Sequence, residues 1–195
     1  MIRIGFATSN MHKVVEANEV LKKFGVELYP VNVEKLEIQS EDLERIAVTA
    51  ARHAFKVLGK PVVVEDSGLF IEALKGFPGP YSSYVYKTIG LEGVLKLLEG
   101  VENRRAYFKA VVALALDSER VLVFTGIVSG IISHEIRGGY GFGFDPIFIP
   151  EGYDKTFAEL GKEVKCRISH RARAFEKLGL WIASNKQIFI PRQEN

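Results

Sequence analysis

The spacing of apolar and polar residues changes along this chain from strand-like to helical and back several times. Ile2 to Ala7 is a short apolar run, followed by the polar segment Thr8-Ser9-Asn10-Met11-His12-Lys13. Beyond it Val14, Ala17, Leu21 and Phe24 recur every three or four residues and stop at Gly25, which predicts an amphipathic helix. Val26 to Val33 predicts a second strand. Ser40 is placed to cap a second helix, with Glu41, Asp42 and Glu44 favourable in its first turn. Leu43, Ile46, Ala47, Ala50, Ala54 and Val57 continue that helix as a stripe up to Gly59. Val62-Val63-Val64 predicts a short central strand buried on both faces.

The second half starts with the Gly- and Pro-punctuated loop Gly76-Phe77-Pro78-Gly79-Pro80 and a helical region over about 81–99. Ala106 to Leu116 and Val121 to Ile132 flank a short polar turn and predict a β-hairpin. A glycine-rich loop at 138–143 precedes a strand over Ile147 to Ile149. Thr156 with Glu159 forms the pattern of a capping box, and Ser169 to Ile182 predicts the last long helix. Alternating strands and helices predict an α/β fold, and the hairpin makes the sheet mixed rather than purely parallel. The whole chain, 1–195, is expected to form one domain.

Composition narrows the function classes. Net charge is +2 and the basic residues are dispersed, so no stripe for general nucleic-acid binding exists. The single cysteine, Cys166, excludes an internal disulfide and a cysteine-built zinc site. The histidines, at 12, 53, 134 and 170, have no metal-ligand spacing. The apolar stretches around 110–116 and 121–132 are shorter than the ~20 residues of a membrane span, and no signal-peptide pattern opens the chain. A soluble, cytoplasmic protein that binds neither nucleic acid nor membrane is the expectation.

Four segments carry chemistry. A helix start exposes unpaired N–H groups and a partial positive charge. Thr8 to His12 would let a phosphate approach that backbone, and Lys13 adds a full charge from the first turn. The alternative is a plain N-cap at Ser9 or Asn10 beside a surface lysine. Glu65-Asp66-Ser67-Gly68 places two carboxylates after an apolar strand, where they serve a metal ion, a general base, or an Asx-turn from Asp66 to the Gly68 N–H. Ligands of open α/β sheets bind beyond the carboxyl ends of strands, so these two segments are expected to share one cleft. Glu37 is a further candidate metal ligand, or a solvated loop residue.

The third segment, Gly138-Gly139-Tyr140-Gly141-Phe142-Gly143-Phe144-Asp145-Pro146, lacks the spacing and context of a dinucleotide fingerprint. It reads as a loop of unusual dihedrals that presents aromatic faces, with Asp145 as an acceptor; alternatively Phe142 or Phe144 belongs to the core. In the fourth, Lys165 and Ser169-His170-Arg171 gather donors around a helix start. His170 and Arg171 at N1 and N2 oppose the helix dipole, which points to an anionic or carbonyl-bearing partner, or else both face solvent.

In this order the motifs Thr8-Ser9-Asn10-x-x-Lys13, Glu37, Glu65-Asp66-Ser67-Gly68-Leu69, Gly76-Phe77-Pro78-Gly79-Pro80-Tyr81-Ser82, Gly141-Phe142-Gly143-Phe144-Asp145-Pro146 and Ser169-His170-Arg171 resemble the inosine triphosphate pyrophosphatase family over Ile4 to Phe175. The resemblance implies a long mixed β-sheet with flanking helices, two lobes around a central nucleotide cleft, and a homodimer. It implies hydrolysis of deaminated purine nucleoside triphosphates to the monophosphate and pyrophosphate. Thr8, Ser9, Asn10, Met11, His12 and Lys13 would hold the triphosphate. Glu37 and Asp66 would bind magnesium, Asp66 would also accept a proton, and Ser67 would touch the substrate. Phe142, Gly143, Phe144, Asp145, Lys165, His170 and Arg171 would recognise the base and its attached sugar-phosphate. Glu65 is the candidate ligand for any second metal. Many members carry a lysine at the position of Thr49; Arg52 lies on the same helix face. Two other readings stay open: a nucleotide sensor without hydrolysis, and a pyrophosphatase for other modified nucleotides.

Overall fold

The computed structural model describes residues 1–34, 36 and 38–189. Strand β1 (Ile2–Ala7) leads into helix α1 (Met11–Leu21), as the periodicity predicts. Asn10 is the cap, its side-chain oxygen accepting the His12 N–H at 3.0 Å. A 3-10 turn, Lys22–Phe24, carries the chain to Gly25, whose φ of 70° ends the helix. Strand β2 (Val26–Val31) then runs parallel to β1 and stops two residues short of the expected end at Val33.

Helix α2 (Leu43–Leu58) starts later than Ser40 implies. Asp42 is its cap, accepting the Glu44 N–H at 2.8 Å, while the Ser40 hydroxyl accepts the Asp42 N–H at 3.1 Å. A carboxylate placed two residues nearer to the apolar stripe therefore takes the role expected of the serine. The stripe is buried apart from Val57, which is exposed.

The largest departure is β3 (Val62–Ile71), which runs through Glu65-Asp66-Ser67-Gly68 instead of ending at Val64. These polar residues stay in the ladder, Asp66 opposite Val111 and Ser67 opposite Ala110 on strand β5 (Arg105–Ala115). A buried carboxylate is tolerable in a central strand only with charged partners, and Glu65 has them, as described below. The two-residue strand β4 (Pro78–Gly79) pairs with β3 so closely that a side chain on Gly68 would collide with the Gly79 carbonyl. The helical region after it is split at Gly90, φ 66°, into α3 (Ser82–Thr88) and α4 (Gly90–Leu97).

The predicted hairpin forms from β5 and β6 (Val121–Ile132), in register from Arg105 opposite Ile131 to Ala115 opposite Val121. A 3-10 turn over Asp145–Ile147 delays β7 to Phe148–Pro150. Helix α5 (Phe157–Ile168) opens on the full Thr156–Glu159 capping box and bends at Gly161. Helix α6 (His170–Ser184) is capped by Ser169, which accepts the Ala172 N–H at 3.1 Å.

The seven strands make one mixed sheet in the order β2-β1-β3-β5-β6-β7, with β4 on β3. One face of its parallel half packs on α1 and α6 through Phe6, Leu21, Phe175 and Leu178; the other packs on α2 through Val62, Val64 and Ala51. The far ends of the long strands form a second packing region around Leu69, Phe108, Phe148 and Phe157. The start of α6 presses on β6 at Gly126, where any Cβ would collide with the His170 carbonyl. That contact sets the position of the residues that follow.

Candidate active site

Phe6 of β1 pairs with Val63 of β3, so two residues further on Glu65 comes level with Thr8, where the helix-start segment begins. Lys13, in the first turn of α1, reaches across: its Nζ lies 2.6 Å from Glu65 Oε2 and donates to the Glu65 carbonyl at 3.3 Å. The two segments expected to share a cleft do meet. Successive strand residues face opposite sides of a sheet. Val63 packs on the α1–α6 side and Val62 and Val64 on the α2 side, so Glu65 and Ser67 face α1 and α6 while Asp66 faces α2. Asp66 is half-buried, and its Oδ1 accepts the Ser67 N–H at 3.1 Å rather than the Gly68 N–H of an Asx-turn.

Behind this pair lies a chain of buried charges of alternating sign. Arg171 places Nη1 2.6 Å from Glu16 Oε2 and Nη2 3.1 Å from Glu65 Oε1, and Nη2 also donates to Ser67 Oγ at 3.2 Å. Lys165 Nζ lies 2.8 Å from Glu16 Oε1 and 2.7 Å from Asp145 Oδ2. Lys13, Glu65, Arg171, Glu16, Lys165 and Asp145 thus form one connected series.

Burial pushes the Glu65 carboxyl up, but Arg171 and Lys13 outweigh it and hold the group far below its ordinary range. Glu16 is lowered for the same reason: Arg171 and Lys165 overcome its burial. Arg171 is burdened by burial and raised on balance by Glu65 and Glu16. Burial raises Asp145, with Lys165 opposing. His170 is held well below its usual value by burial and then by Arg171, which keeps it neutral. Its ring stacks on Phe108 at 4.6 Å, 11° from parallel. His170 Nδ1 and Arg171 Nε are buried without a hydrogen-bond partner among the described residues.

The donors expected around the α6 start therefore do gather there. The anionic partner that their position calls for is internal: Glu16 and Glu65. Glu16 was not among the candidates. Its signal is positional, since it sits three residues after Lys13 and beside Ala17 on the buried flank of α1. Both oxygens of Glu65 lie in ion pairs, Oε2 with Lys13 and Oε1 with Arg171.

The glycine loop delivers one aromatic ring to this cluster and one to the core. Phe144 is buried and meets Tyr86 edge-on at 5.6 Å. Phe142 is half-buried, held by its N–H to Asp145 Oδ2 at 2.9 Å. Gly141 and Gly143 flank it at φ 90° and 62°, and a side chain on Gly141 would collide with Asp145 Oδ2. Lys165 Nζ lies 4.3 Å and Arg171 Cζ 5.4 Å from the Phe142 ring centre, and the His12 ring stacks on it at 5.3 Å. Thr8 is half-buried and accepts the Asn10 N–H at 3.1 Å; Ser9 and Met11 are exposed. Thr49 is half-buried and Arg52 exposed on α2. Glu37 lies outside the described residues.

Residues 4–181 match the sequence model of the Ham1 family. A dITP/XTP pyrophosphatase of Hyperthermus butylicus is 57% identical over 176 residues, 90% of this chain and 92% of that protein. One of Ignicoccus hospitalis is 56% identical over 177 residues, 90% and 94% of the two chains. Among solved structures, a HAM1 protein from Coxiella burnetii superposes with a TM-score of 0.85 at 34% identity, covering 94% of this chain and all of that one.

Proposed function

The chain belongs to the Ham1 family, and on that footing we propose that it hydrolyses deaminated purine nucleoside triphosphates, those of inosine, deoxyinosine and xanthosine. The products are the monophosphate and pyrophosphate, so the activity clears such nucleotides from the pool. The observation that supports this best is the convergence of a helix-start lysine, an acidic strand segment and an aromatic ring on one end of the sheet.

In this reading Thr8 to Lys13 hold the triphosphate, and Lys13 with the α1 start neutralises charge on the leaving pyrophosphate. Phe142 offers its ring to the base, a contact worth ~1–3 kcal/mol. His170 Nδ1 and Arg171 Nε, buried and without partners among the described residues, are polar atoms left over for the 6-carbonyl of the base. An adenine amino group in that position would leave a buried donor unpaired, at a cost of ~1–3 kcal/mol.

Asp66 and Glu37 would hold a magnesium ion. Asp66, half-buried, offers the hard oxygen that magnesium combines with substrate phosphates. Magnesium, when bound, supplies charge for the phosphate oxygens. The Asp66 carboxylate takes the proton of the attacking water, and Ser67 touches the substrate. Exposed Phe77, Tyr81, Tyr84 and Tyr86 support a two-fold homodimer. No described helix is long and apolar enough to cross a membrane, and we place the enzyme in the cytoplasm with its substrates.

Pyrophosphate release from inosine triphosphate, with and without magnesium, tests the reading. Asp66→Asn is expected to lower turnover at least ~10²-fold with the fold retained. Near-normal turnover of that variant at saturating magnesium would end the assignment of Asp66, and nucleotide binding without any release would make the protein a sensor.

A further inference from the structure

His12 has no place in the chemistry above beyond its main chain, whose N–H is already given to Asn10 Oδ1 at 3.0 Å. Its imidazole nevertheless has a defined position, stacked on Phe142 with ring centres 5.3 Å apart and planes 25° from parallel. The other groups around that ring cannot leave. Lys165 and Arg171 are buried and tied to Glu16, Asp145 and Glu65 by ion pairs of 2.6–3.1 Å. Phe142 itself is tethered through its N–H to Asp145. His12 is exposed, and rotation about its own side-chain bonds frees it without breaking a hydrogen bond to any described residue.

We propose that His12 is a placeholder for the purine: its imidazole stacks on Phe142, and an incoming base takes its place. The inference rests on Phe142 being the base-stacking ring, as in the function proposed above. Lys165 and Arg171, which also lie against the ring, are fixed in ion pairs, so of these three neighbours His12 is the one that can give way to a base. An imidazole is the smaller half of a purine in shape and aromatic character, which suits it to the role. A contact that must be undone before binding lowers apparent affinity by the fraction of molecules in which it is already undone. His12 therefore shields an aromatic ring from solvent when the site is empty and weakens binding of every base alike.

The chain has histidines only at 12, 53, 134 and 170, so the imidazole proton signals of His12 can be followed directly by NMR. The probe is inosine monophosphate, which is not hydrolysed. In the empty protein the His12 signals are expected to carry the ring-current shift of Phe142 and to lose it in Phe142→Leu. Adding inosine monophosphate should abolish the same shift. His12→Ala should bind the probe about 2- to 10-fold tighter, the range of one aromatic contact, and His12→Phe should bind it more weakly. If the probe binds while the His12 signals keep their shift, or if His12→Ala binds more weakly, the placeholder is refuted. Should that happen while the unmutated protein still hydrolyses inosine triphosphate, only His12 is reassigned. Absence of both probe binding and hydrolysis would overturn the functional reading and the placeholder together.

Discussion

Arg171 and Arg104 are both buried, with 2% and 9% of their surface exposed, yet their charges are met in opposite ways. Arg104, just before β5, donates among the described residues only to main-chain carbonyls: Ile132 at 2.7 Å, Leu98 at 3.1 Å and Ser133 at 2.6 Å. It ties the end of α4 to the end of β6, and burial alone shifts it, downward. Arg171 instead faces two carboxylates and is shifted upward by them. A cation needed only as a staple is thus accommodated by three carbonyl dipoles. Burying a series of ionisable groups is a weak way to gain stability, because desolvation consumes most of the Coulombic gain. The series around Arg171 is better understood as scaffolding for the polar atoms and the aromatic ring that it holds in place.

The contrast breaks most visibly at Arg171. Arg171→Ala strands Glu16 and Glu65 in the interior and is expected to cost about 3–5 kcal/mol, read from urea unfolding. It should also narrow the ratio of kcat/KM for inosine triphosphate over GTP. An unchanged ratio would remove Arg171 from base selection and leave it a staple like its counterpart. Arg104→Met is expected to cost less, about 1–3 kcal/mol for carbonyls left unpaired, with kcat per folded molecule retained. A fall in kcat without loss of stability would erase the distinction between the two regions.

A smaller effect sharpens it through pH. Glu16 and Glu65 are both more acidic in the folded protein than their ordinary value of 4.5. Their contribution to stability is complete above that value and is lost as pH falls through their folded values, by up to about 1.4 kcal/mol per pH unit for each proton taken up. Asp145, raised by burial, runs the other way and offsets part of the loss. Urea midpoints followed downward from neutral pH should show a slope that Glu16→Gln flattens and Arg104→Met leaves alone. Equal slopes in all three proteins would show that the carboxylates around Arg171 are not what titrates.

Local pattern revealed the elements whose causes are local. The Asn10 turn, the Thr156–Glu159 capping box, the β5–β6 hairpin and the Ser169 cap depend on neighbours within a few residues, and all were legible. The continuation of β3 through Glu65 was not, because its partners are Lys13 and Arg171, the latter 106 residues away. The same holds for Glu16, whose pairing with Arg171 spans 155 residues. A polar residue in an apolar run looks like a strand end until its partner is known. Of the candidate site, Lys13, Asp66, Phe142, Lys165, His170 and Arg171 were visible as residues; that three of them would be bound to internal carboxylates was not. Helix propensity misplaced the α2 cap by two residues for a simpler reason: Ser40 and Asp42 are both competent caps, and the apolar stripe at Leu43 decides between them.

The alternating series has a kinetic consequence. Lys13, Lys165 and Arg171 stand against Glu16, Glu65 and Asp145, and with all six ionised their charges cancel. Seen from beyond a Debye length, about 8 Å at physiological ionic strength, this series has almost no monopole, and the chain as a whole carries only +2. The series therefore adds no long-range attraction for a polyanion approaching through solvent. The cations become effective only at contact, once the ligand competes with a carboxylate for one of them.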